Sequence, residues 1–485
     1  MRRIRTYLES ESPAGPFLLF RTVWSTILLI LPLRYFLNGW IESYFYEPEF
    51  FFSFLDFAWY GPLPAPGMYI LFGALCALAL GIGLGWRYRL AAAAYAVLFA
   101  YFLSIDKTIY LNHYYLVFLL TTLLAALPAP HSSNSTPVNA GSMHSKLVVP
   151  RISELSIKAM IAVVYLYAAL AKVRYDWLID AMPLRIWLPA RVDSFPGGEW
   201  LAIPALAWVF AWGGLLFDGS IAFFLFARRT APYAFLAVVF FHITTALLFR
   251  IGMFPWIMIA ANTIFLGPLT FLSDGLYQRT LGRFLKREPA HEEAVTSFAD
   301  GGQRISAVRA SGRQRFSGRM LQRICELSGS SVAGTRLYRQ KLFTGLLLVF
   351  ILLQIVLPAR RFLYPGKTTW NEYGFRFSWQ VMVMQKSGLC EFTIHKGERQ
   401  LRLNPSEILS PYQEMMMSTQ PDMILQFGRY LSRRFGAGSP SGTASVFAHC
   451  LVSLNGRPHQ PMVRSDVDLS DPDVIEKDII IPFSQ

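Results

Sequence analysis

Four ionisable side chains stand within, or at the end of, long apolar runs: His113, Lys172, Asp218 and His242. Ionisable groups at membrane depth are costly, so each is a candidate for chemistry. An amine removed from water can act as a base when it is neutral. Asp218 is expected to have a structural partner, which is Arg21, Arg228 or a group on another helix. Simpler structural roles stay open, because helix-end lysines commonly extend to the membrane interface and lone buried histidines commonly complete hydrogen-bond networks.

The runs that hold these residues have the length of membrane-crossing helices. The chain has 485 residues, of which 53% are hydrophobic and 16% charged, whereas a soluble domain has about 25% charged residues. We predict an α-helical polytopic membrane protein, since a crossing needs about 20 apolar residues. About nine spans are predicted, at 17–37, 68–86, 90–106, 113–129, 155–173, 201–227, 232–250, 252–272 and 342–358.

Basic residues are distributed unequally between alternate loops. One set of loops, which includes the amino terminus and 273–341, holds 22 Lys and Arg residues, and the other set holds 5. The positive-inside rule then predicts a cytoplasmic amino terminus and an extracytoplasmic carboxyl-terminal region. The same bias accounts for the net charge of +14 without nucleic acid as a partner. His113, Lys172 and the outer half of the seventh span then lie towards the outer leaflet.

The pattern changes after the last predicted span. Short alternating segments predict a compact extracytoplasmic α+β domain rich in β-hairpins, with turns at Lys396–Gly397 and Asn455–Gly456 and a helix between the hairpins. The predicted division of the chain is 1–272 for the first eight spans, 273–341 for a basic flexible cytoplasmic linker, 342–358 for the ninth span and 359–485 for the extracytoplasmic domain.

Two further features have simple interpretations. The aromatic loop 44–64 is predicted to be an interfacial belt, with the roof of an apolar pocket as the alternative. The four cysteines, Cys76, Cys325, Cys390 and Cys450, do not have the spacing of a metal site, and we predict no bound metal. Cys390 and Cys450 both fall in the extracytoplasmic domain, where a disulfide can persist.

Several segments of the chain resemble one family, the vitamin K-dependent γ-glutamyl carboxylases. Its membrane part is also called the horizontally transferred transmembrane domain. The resemblance runs over nearly the whole chain, and we regard the protein as similar to a non-animal member. It rests on the order and spacing of FLLFRTVW (17–24), LNHYYL (111–116), YLYAALAKVRYDW (165–177), FHITTALLFRIGMFPWIMIA (241–260) and WNEYGFRFSWQVMV (370–383).

The resemblance implies a carboxy-lyase that oxidises reduced vitamin K with O2 to the epoxide. That oxidation would be coupled to addition of CO2 to glutamate, giving γ-carboxyglutamate. The family's base is a lysine followed by Asp-Trp, which matches Lys172 with Asp176 and Trp177 here. The partners implied are a glutamate-containing protein or peptide, the bilayer and a lipophilic quinone.

The resemblance also implies three groups of site residues. The catalytic group is Lys172, His113 and Asn112. The cofactor-binding group is His242, Trp177 and Asn112. The substrate-binding group is Trp370, Arg376 and Trp379.

Two alternatives from the sequence stay open. Phe375 stands where the animal pattern has a tyrosine and Met384 where it has a histidine, which favours a quinone epoxidase or monooxygenase-like enzyme that does not carboxylate protein. A non-catalytic membrane binding or assembly protein of the same fold is the other alternative. Retention of Lys172 and of the Asn112–His113 pair favours an enzyme.

Overall fold

The computed structural model describes residues 6–8, 10–54, 60–132, 147–267, 342–436 and 443–484. Met1–Asp274 and Gln354–Gln485 belong to one compact unit, and Gly275–Leu353 to a second. The linker predicted at 273–341 lies outside the described residues.

Long apolar helices make up most of the described chain before residue 268. Seven helices in the described ranges are long and apolar enough to cross a membrane, and two more are shorter. Each predicted span coincides with one of these helices, but the exact number of crossings stays a prediction. The helices are α1 Gly15–Leu37, α2 Gly67–Leu84, α3 Tyr88–Ile105, the shorter α4 Asn112–Ala126, α5 Arg151–Lys172, α6 Pro204–Phe226, α7 Ala231–Leu248, the shorter α8 Phe254–Asn262 and α9 Leu342–Leu363.

Small residues let neighbouring helices approach closely. α1 packs on α2, α2 on α3, and α3 on α4, while α5 packs on α6. A Cβ atom placed on Gly83 of α2 would lie 2.5 Å from Ser25 Oγ of α1, so only glycine fits there without a shift. Such contacts stabilise helix pairs in a medium where burial of apolar surface contributes little.

Short elements connect these helices. Three antiparallel strands, β1 Glu11–Pro13, β2 His131–Ser132 and β3 Leu147–Pro150, form a small sheet in the order β1-β3-β2. Single helical turns or 3-10 helices lie at Trp40–Phe45, Lys107–Ile109, Tyr175–Leu178, Leu184–Trp187, Pro189–Ser194, Gly198–Ala202 and Thr263–Phe265.

The carboxyl-terminal region folds as the predicted α+β domain. Both hairpins are confirmed, with Lys396 opposite Arg399 and Leu451 opposite Pro461 across the turns. The antiparallel sheet has the order β5-β4-β6-β7, with β4 Lys386–Lys396, β5 Arg399–Leu403, β6 Ser445–Leu454 and β7 Gln460–Pro461. Helices α10 Pro411–Met417 and α11 Pro421–Gly436 lie between the hairpins, and short helical segments occur at Thr368–Asn371, Pro405–Glu407 and Glu476–Ile479.

A disulfide joins the two central strands of this sheet. Cys390 on β4 lies directly opposite Cys450 on β6, and the two sulfur atoms are bonded. Disulfides persist in oxidising compartments. The bond is therefore consistent with a domain outside the cytoplasm.

The loop after α1 does not behave as a simple interfacial belt. Phe50 and Phe52 are buried in the core of the carboxyl-terminal domain, where both rings pack near Phe427 of α11. The prediction that these two residues belong to an interfacial belt is wrong, because their rings are buried in the apolar core of the carboxyl-terminal domain. The loop therefore ties the membrane helices to the carboxyl-terminal domain.

An irregular segment at 372–383 connects α9 to the sheet. Its backbone has positive φ at Phe377, Trp379 and Met382, with values of 62°, 55° and 57°, a conformation that is uncommon for residues other than glycine. Contacts from the membrane helices and their loops fix it: Phe377 N donates to Tyr110 Oη at 2.7 Å, and Asn112 Nδ2 donates to the Gln380 carbonyl at 3.1 Å. We call residues 372–383 the roof segment.

Candidate active site

The side chain of Lys172 turns towards α6 at the end of α5. Its Nζ lies 2.7 Å from Oδ2 of Asp218 and 3.3 Å from the carbonyl oxygen of Ala168. The Lys172 and Asp218 side chains are each 8% exposed. The amine is thus held inside the protein by a carboxylate and does not extend to the membrane interface.

Asp218 pairs with a group on another helix, as one alternative had it, and the predicted pairs with Arg21 and Arg228 are wrong. Arg21 on α1 lies over the ring of Tyr88, 5.2 Å from its centroid, and Arg228 is exposed beyond the end of α6. Two glycines of α6 lie at the contact with α5, where a Cβ atom would also fit. Cβ atoms on Gly214 and Gly219 would lie 3.8 Å from Lys172 Cε and Ala169 Cβ.

Trp177 completes one wall beside the amine. Its ring centroid lies 5.3 Å from Lys172 Nζ, and its Nε1 donates to the Ala211 carbonyl at 2.8 Å. Trp177, Lys172 and Asp218 line a cavity of about 70 Å³, room for about five water molecules. We call it the apolar cavity, because most of its other walls come from Val164, Ala168, Leu184, Phe210, Phe241, Phe249, Phe254, Met258, Val381 and Met382.

His242 also lines the apolar cavity. Its Nε2 lies 3.2 Å from the hydroxyl of Tyr165, which accepts a hydrogen bond from Asn262 Nδ2 at 3.0 Å. Because Asn262 donates to the Tyr165 oxygen, the hydroxyl hydrogen is available for Nε2, and Nδ1 then carries the ring proton. His242 Nδ1 has no partner among the described residues. It is a donor that a ligand can satisfy.

Asn112 and His113 line a second, larger cavity of about 560 Å³, which we call the polar cavity. Asn112 begins α4 and is fixed on both sides, since Tyr110 Oη donates to its Oδ1 at 3.0 Å and its Nδ2 donates to the roof segment. His113 is buried and lies against Phe254, with ring centroids 5.9 Å apart. These two residues do not contact Lys172.

Two arginines face the polar cavity. Arg34 comes from the end of α1 and lies over the ring of Trp40 at 4.9 Å, and Arg250 comes from the loop before α8. Neither has an acidic partner within the described ranges. The cavity therefore has positive charge available for an anion.

The two cavities have a common wall. Phe254, Val381 and Met382 line both of them. The ring of Phe254 lies between the two buried histidines, with its centroid 5.9 Å from that of His113 and 5.7 Å from that of His242. A ligand in one cavity is thus close to a ligand in the other.

The three residues predicted to bind substrate lie behind this wall. Trp370 is in the core of the carboxyl-terminal domain, where its Nε1 donates to the Ile481 carbonyl at 2.9 Å. Arg376 Nη1 donates to Asp422 at 2.8 Å. Trp379 stacks on Tyr115 with centroids 5.2 Å apart. Their neighbours Gln380, Val381 and Met382 line the polar cavity instead, and direct binding by the three predicted residues stays a prediction.

Asp176 connects the helix bundle to the carboxyl-terminal domain. Its carboxylate accepts from Asn455 Nδ2 at 2.9 Å and from Arg457 Nη2 at 3.0 Å, and Lys367 Nζ lies 3.0 Å away. Burial opposes ionisation, but these donors outweigh it and lower the pKa of Asp176. The Asp-Trp pair after Lys172 therefore has two roles, since Asp176 docks the domain while Trp177 lines the apolar cavity.

Asp218, Arg34 and Arg250 are the site residues whose place the sequence did not indicate. Arginines at the ends of spans are ordinary interfacial residues, so Arg34 and Arg250 carried no signal. Asp218 was recognised as a candidate, but its partner depends on which helices pack together. Within the described residues, no group of three or more His, Cys, Asp or Glu side chains has the arrangement of a metal site.

Comparison with known families adds two matches. Residues 11–268 match the family model described as the HTTM domain, which covers more than half of the chain. Residues 339–485 match the model described as the vitamin K-dependent gamma-carboxylase lumenal domain. No solved structure matches the chain significantly. The first match contains Lys172, Asp218 and both buried histidines, and the second contains the roof segment.

Proposed function

Because the chain belongs to the vitamin K-dependent γ-carboxylase family, we propose that it couples oxidation of reduced vitamin K by O2 to carboxylation of glutamate by CO2. The observation that carries this proposal is the pair of cavities on either side of Phe254, Val381 and Met382. One cavity is apolar and contains a buried amine. The other is polar and has two arginines. These properties suit a lipophilic quinol and an acidic side chain, respectively.

The residues of the apolar cavity fit the ring of reduced vitamin K. The walls are aromatic and aliphatic, Trp177 offers a flat face, and His242 Nδ1 offers a hydrogen-bond donor without a protein partner. A cavity of about 70 Å³ does not hold an isoprenoid chain, which would extend into the lipid. When bound, reduced vitamin K reacts with O2 to supply a base strong enough to remove the γ-proton of glutamate, and it leaves as the epoxide.

Lys172 has the position of the group that starts this chemistry. Its Nζ faces the apolar cavity, within reach of a hydroxyl proton on a ring bound against Trp177. The surrounding apolar side chains exclude water, which would otherwise protonate a strong base before glutamate could. Lys172 thus takes the first proton, and the cavity walls protect the later step.

The polar cavity has the chemistry of a glutamate site. Arg34 and Arg250 would hold the carboxylate, since charge-assisted hydrogen bonds from guanidinium are the strongest available in proteins. Asn112 and His113 line the same cavity. We assign Arg376 and Trp379 to the positioning of Gln380–Met382, which they support from behind.

We also propose that the amino terminus is cytoplasmic and that the carboxyl-terminal domain is outside. The loop charge distribution, the Cys390–Cys450 disulfide and the match to a lumenal domain support this orientation. After replacement of Cys76 and Cys325 by serine, a cysteine placed at Glu398 in the β4–β5 turn should react with an impermeant maleimide in intact cells. A cysteine placed at Arg87 between α2 and α3 should not.

The function itself is tested with purified protein, reduced vitamin K, O2, labelled CO2 and a short glutamate peptide. Formation of both epoxide and labelled peptide is the expected result. Epoxide without label would favour the quinone epoxidase alternative, and neither product would favour a non-catalytic protein. For substitutions of Lys172, Lys158→Met is a matched control. Lys158 lies on the same helix as Lys172 but pairs with Glu154 outside both cavities.

A further inference from the structure

A buried ion pair joins α5 to α6, with Lys172 Nζ 2.7 Å from Asp218 Oδ2. Stability does not require it, because replacement of a buried ion pair by apolar residues of similar volume is often neutral or stabilising. The pair also faces a cavity and is not enclosed on all sides by packing. A role in the reaction explains why an acid stands beside the amine.

The Asp218 carboxylate can accept a hydrogen bond from a second donor. Oδ2 accepts from Lys172, while Oδ1 has no hydrogen bond among the described residues, and the residue lines the apolar cavity. The other titratable side chains that line this cavity, Tyr165 and His242, are bonded to each other. Asp218 is therefore the base that Lys172 can reach directly.

We propose that Asp218 is the final acceptor of the quinol proton and that Lys172 relays it. This inference rests on the proposed function. In the resting pair Lys172 is an ammonium and Asp218 a carboxylate. As the quinol O–H bond breaks, its proton bonds to Lys172 Nζ while Nζ passes a different proton to Asp218. One O–H bond is lost and one is formed, no electron is transferred, and the ammonium remains beside the new negative charge.

The charge state of Lys172 can be read without turnover. A lipophilic succinimidyl ester, octanoyl N-hydroxysuccinimide, acylates neutral amines, and mass spectrometry of protein in nanodiscs measures the rate at Lys172 relative to exposed Lys477. We expect acylation at Lys172 to be faster in Asp218→Asn than in wild type or Asp218→Glu, because only Asn removes the negative charge beside the amine.

Turnover gives a second, independent readout. Asp218→Asn should lower kcat for epoxide formation by roughly 100- to 10,000-fold, the usual value of a positioned proton acceptor, with KM for the quinol nearly unchanged. Asp218→Glu should retain most activity, and formate should restore part of the activity of Asp218→Gly. A role in folding alone would lower the yield of folded protein and would not produce this separation of kcat from KM.

The outcomes separate the two ideas. Equal acylation in wild type and Asp218→Asn, or a wild-type kcat in Asp218→Asn, would reject the role of Asp218 while the proposed function stands. A wild type that forms no epoxide would reject the proposed function. The double variant Lys172→Met with Asp218→Leu, which has no unpaired charge, provides a folded reference without the relay.

Discussion

The cavity beside Lys172 and the cavity beside His113 have three wall residues in common. They differ in whether their cationic side chains are paired with an acid. In the apolar cavity, Lys172 is neutralised by Asp218 at 2.7 Å. In the polar cavity, Arg34 and Arg250 have no acidic partner within the described part of the chain. A balanced pair attracts no net charge and can exchange a proton, whereas unbalanced cations attract an anion. The difference supports the proposal that proton transfer takes place in one cavity and anion binding in the other.

The largest expected effect comes from Lys172→Arg. Guanidinium does not release a proton, so an arginine can keep the ion pair with Asp218 but cannot relay the quinol proton to it. Both epoxide and fixed CO2 should therefore fall by roughly 100- to 10,000-fold while the protein still folds. The assay measures both products, with Lys158→Arg as the matched control. Near wild-type epoxide formation would remove the apolar cavity from the proton-transfer step.

The next effect concerns the polar cavity alone. A hydrogen bond to a charged group contributes about 1.5–3 kcal/mol, so Arg34→Gln and Arg250→Gln should each raise KM for the glutamate peptide by roughly 10- to 150-fold. Epoxide formation should persist, because the quinol site is untouched. Arg399→Gln, on the exposed strand β5, is the control. Equal loss of both products would contradict the separation of the two cavities.

A smaller effect is expected from thinning the common wall. Phe254→Leu opens a gap between the cavities and lets water compete with glutamate for the base. We take the free-energy cost of the gap as that of one buried methylene group, about 0.8 kcal/mol. This cost corresponds to a rise of about fourfold in the ratio of epoxide to fixed CO2. Phe249→Leu, which changes the apolar cavity only, should leave that ratio closer to wild type. An unchanged ratio in Phe254→Leu would mean that the wall does not control coupling.

The smallest expected effect arises outside both cavities. Asp176→Asn weakens the docking of the carboxyl-terminal domain and should lower stability by about 1–2 kcal/mol, with both products reduced together. The pKa of Asp176 is lowered in the folded protein, so its contribution is present above the unfolded value of 3.8 and is lost as pH falls below it. Thermal unfolding of Asp176→Asn and of the more exposed Asp180→Asn at pH 7 and pH 3.5 measures this. An equal pH dependence in wild type and Asp176→Asn would contradict it.

The sequence predicted the local parts of this arrangement. Hairpin turns at Lys396–Gly397 and Asn455–Gly456 are encoded by adjacent residues, so they were found correctly. The apolar runs around Lys172 and His242 marked both as candidates, but they left open whether Lys172 is buried or extends to the membrane interface. Each of these signals lies within a few residues of the feature that it predicts.

The remaining parts depend on contacts between distant segments. Asp218 meets Lys172 because α6 packs on α5, and a hydropathy pattern does not say which helices are neighbours. In the sequence, Phe50 and Phe52 have the pattern of membrane-interface residues. The domain core in which they are buried is formed by residues that follow more than 300 positions later. Nothing near Arg34 or Arg250 distinguishes them from anchoring residues, since their cavity is closed by the roof segment.

The origin of the common wall has a consequence for how this chain can be divided. Val381 and Met382 follow the last helix, yet they line both cavities. The backbone just before them is held at Phe377 by Tyr110 and at Gln380 by Asn112. A protein truncated before residue 372 would keep Lys172, Asp218 and both buried histidines. It would lack the part of the common wall that Val381 and Met382 form, so both cavities would be open on that side. Separately expressed halves would therefore have to assemble and form the common wall again. The membrane portion by itself would not be sufficient for the proposed activity.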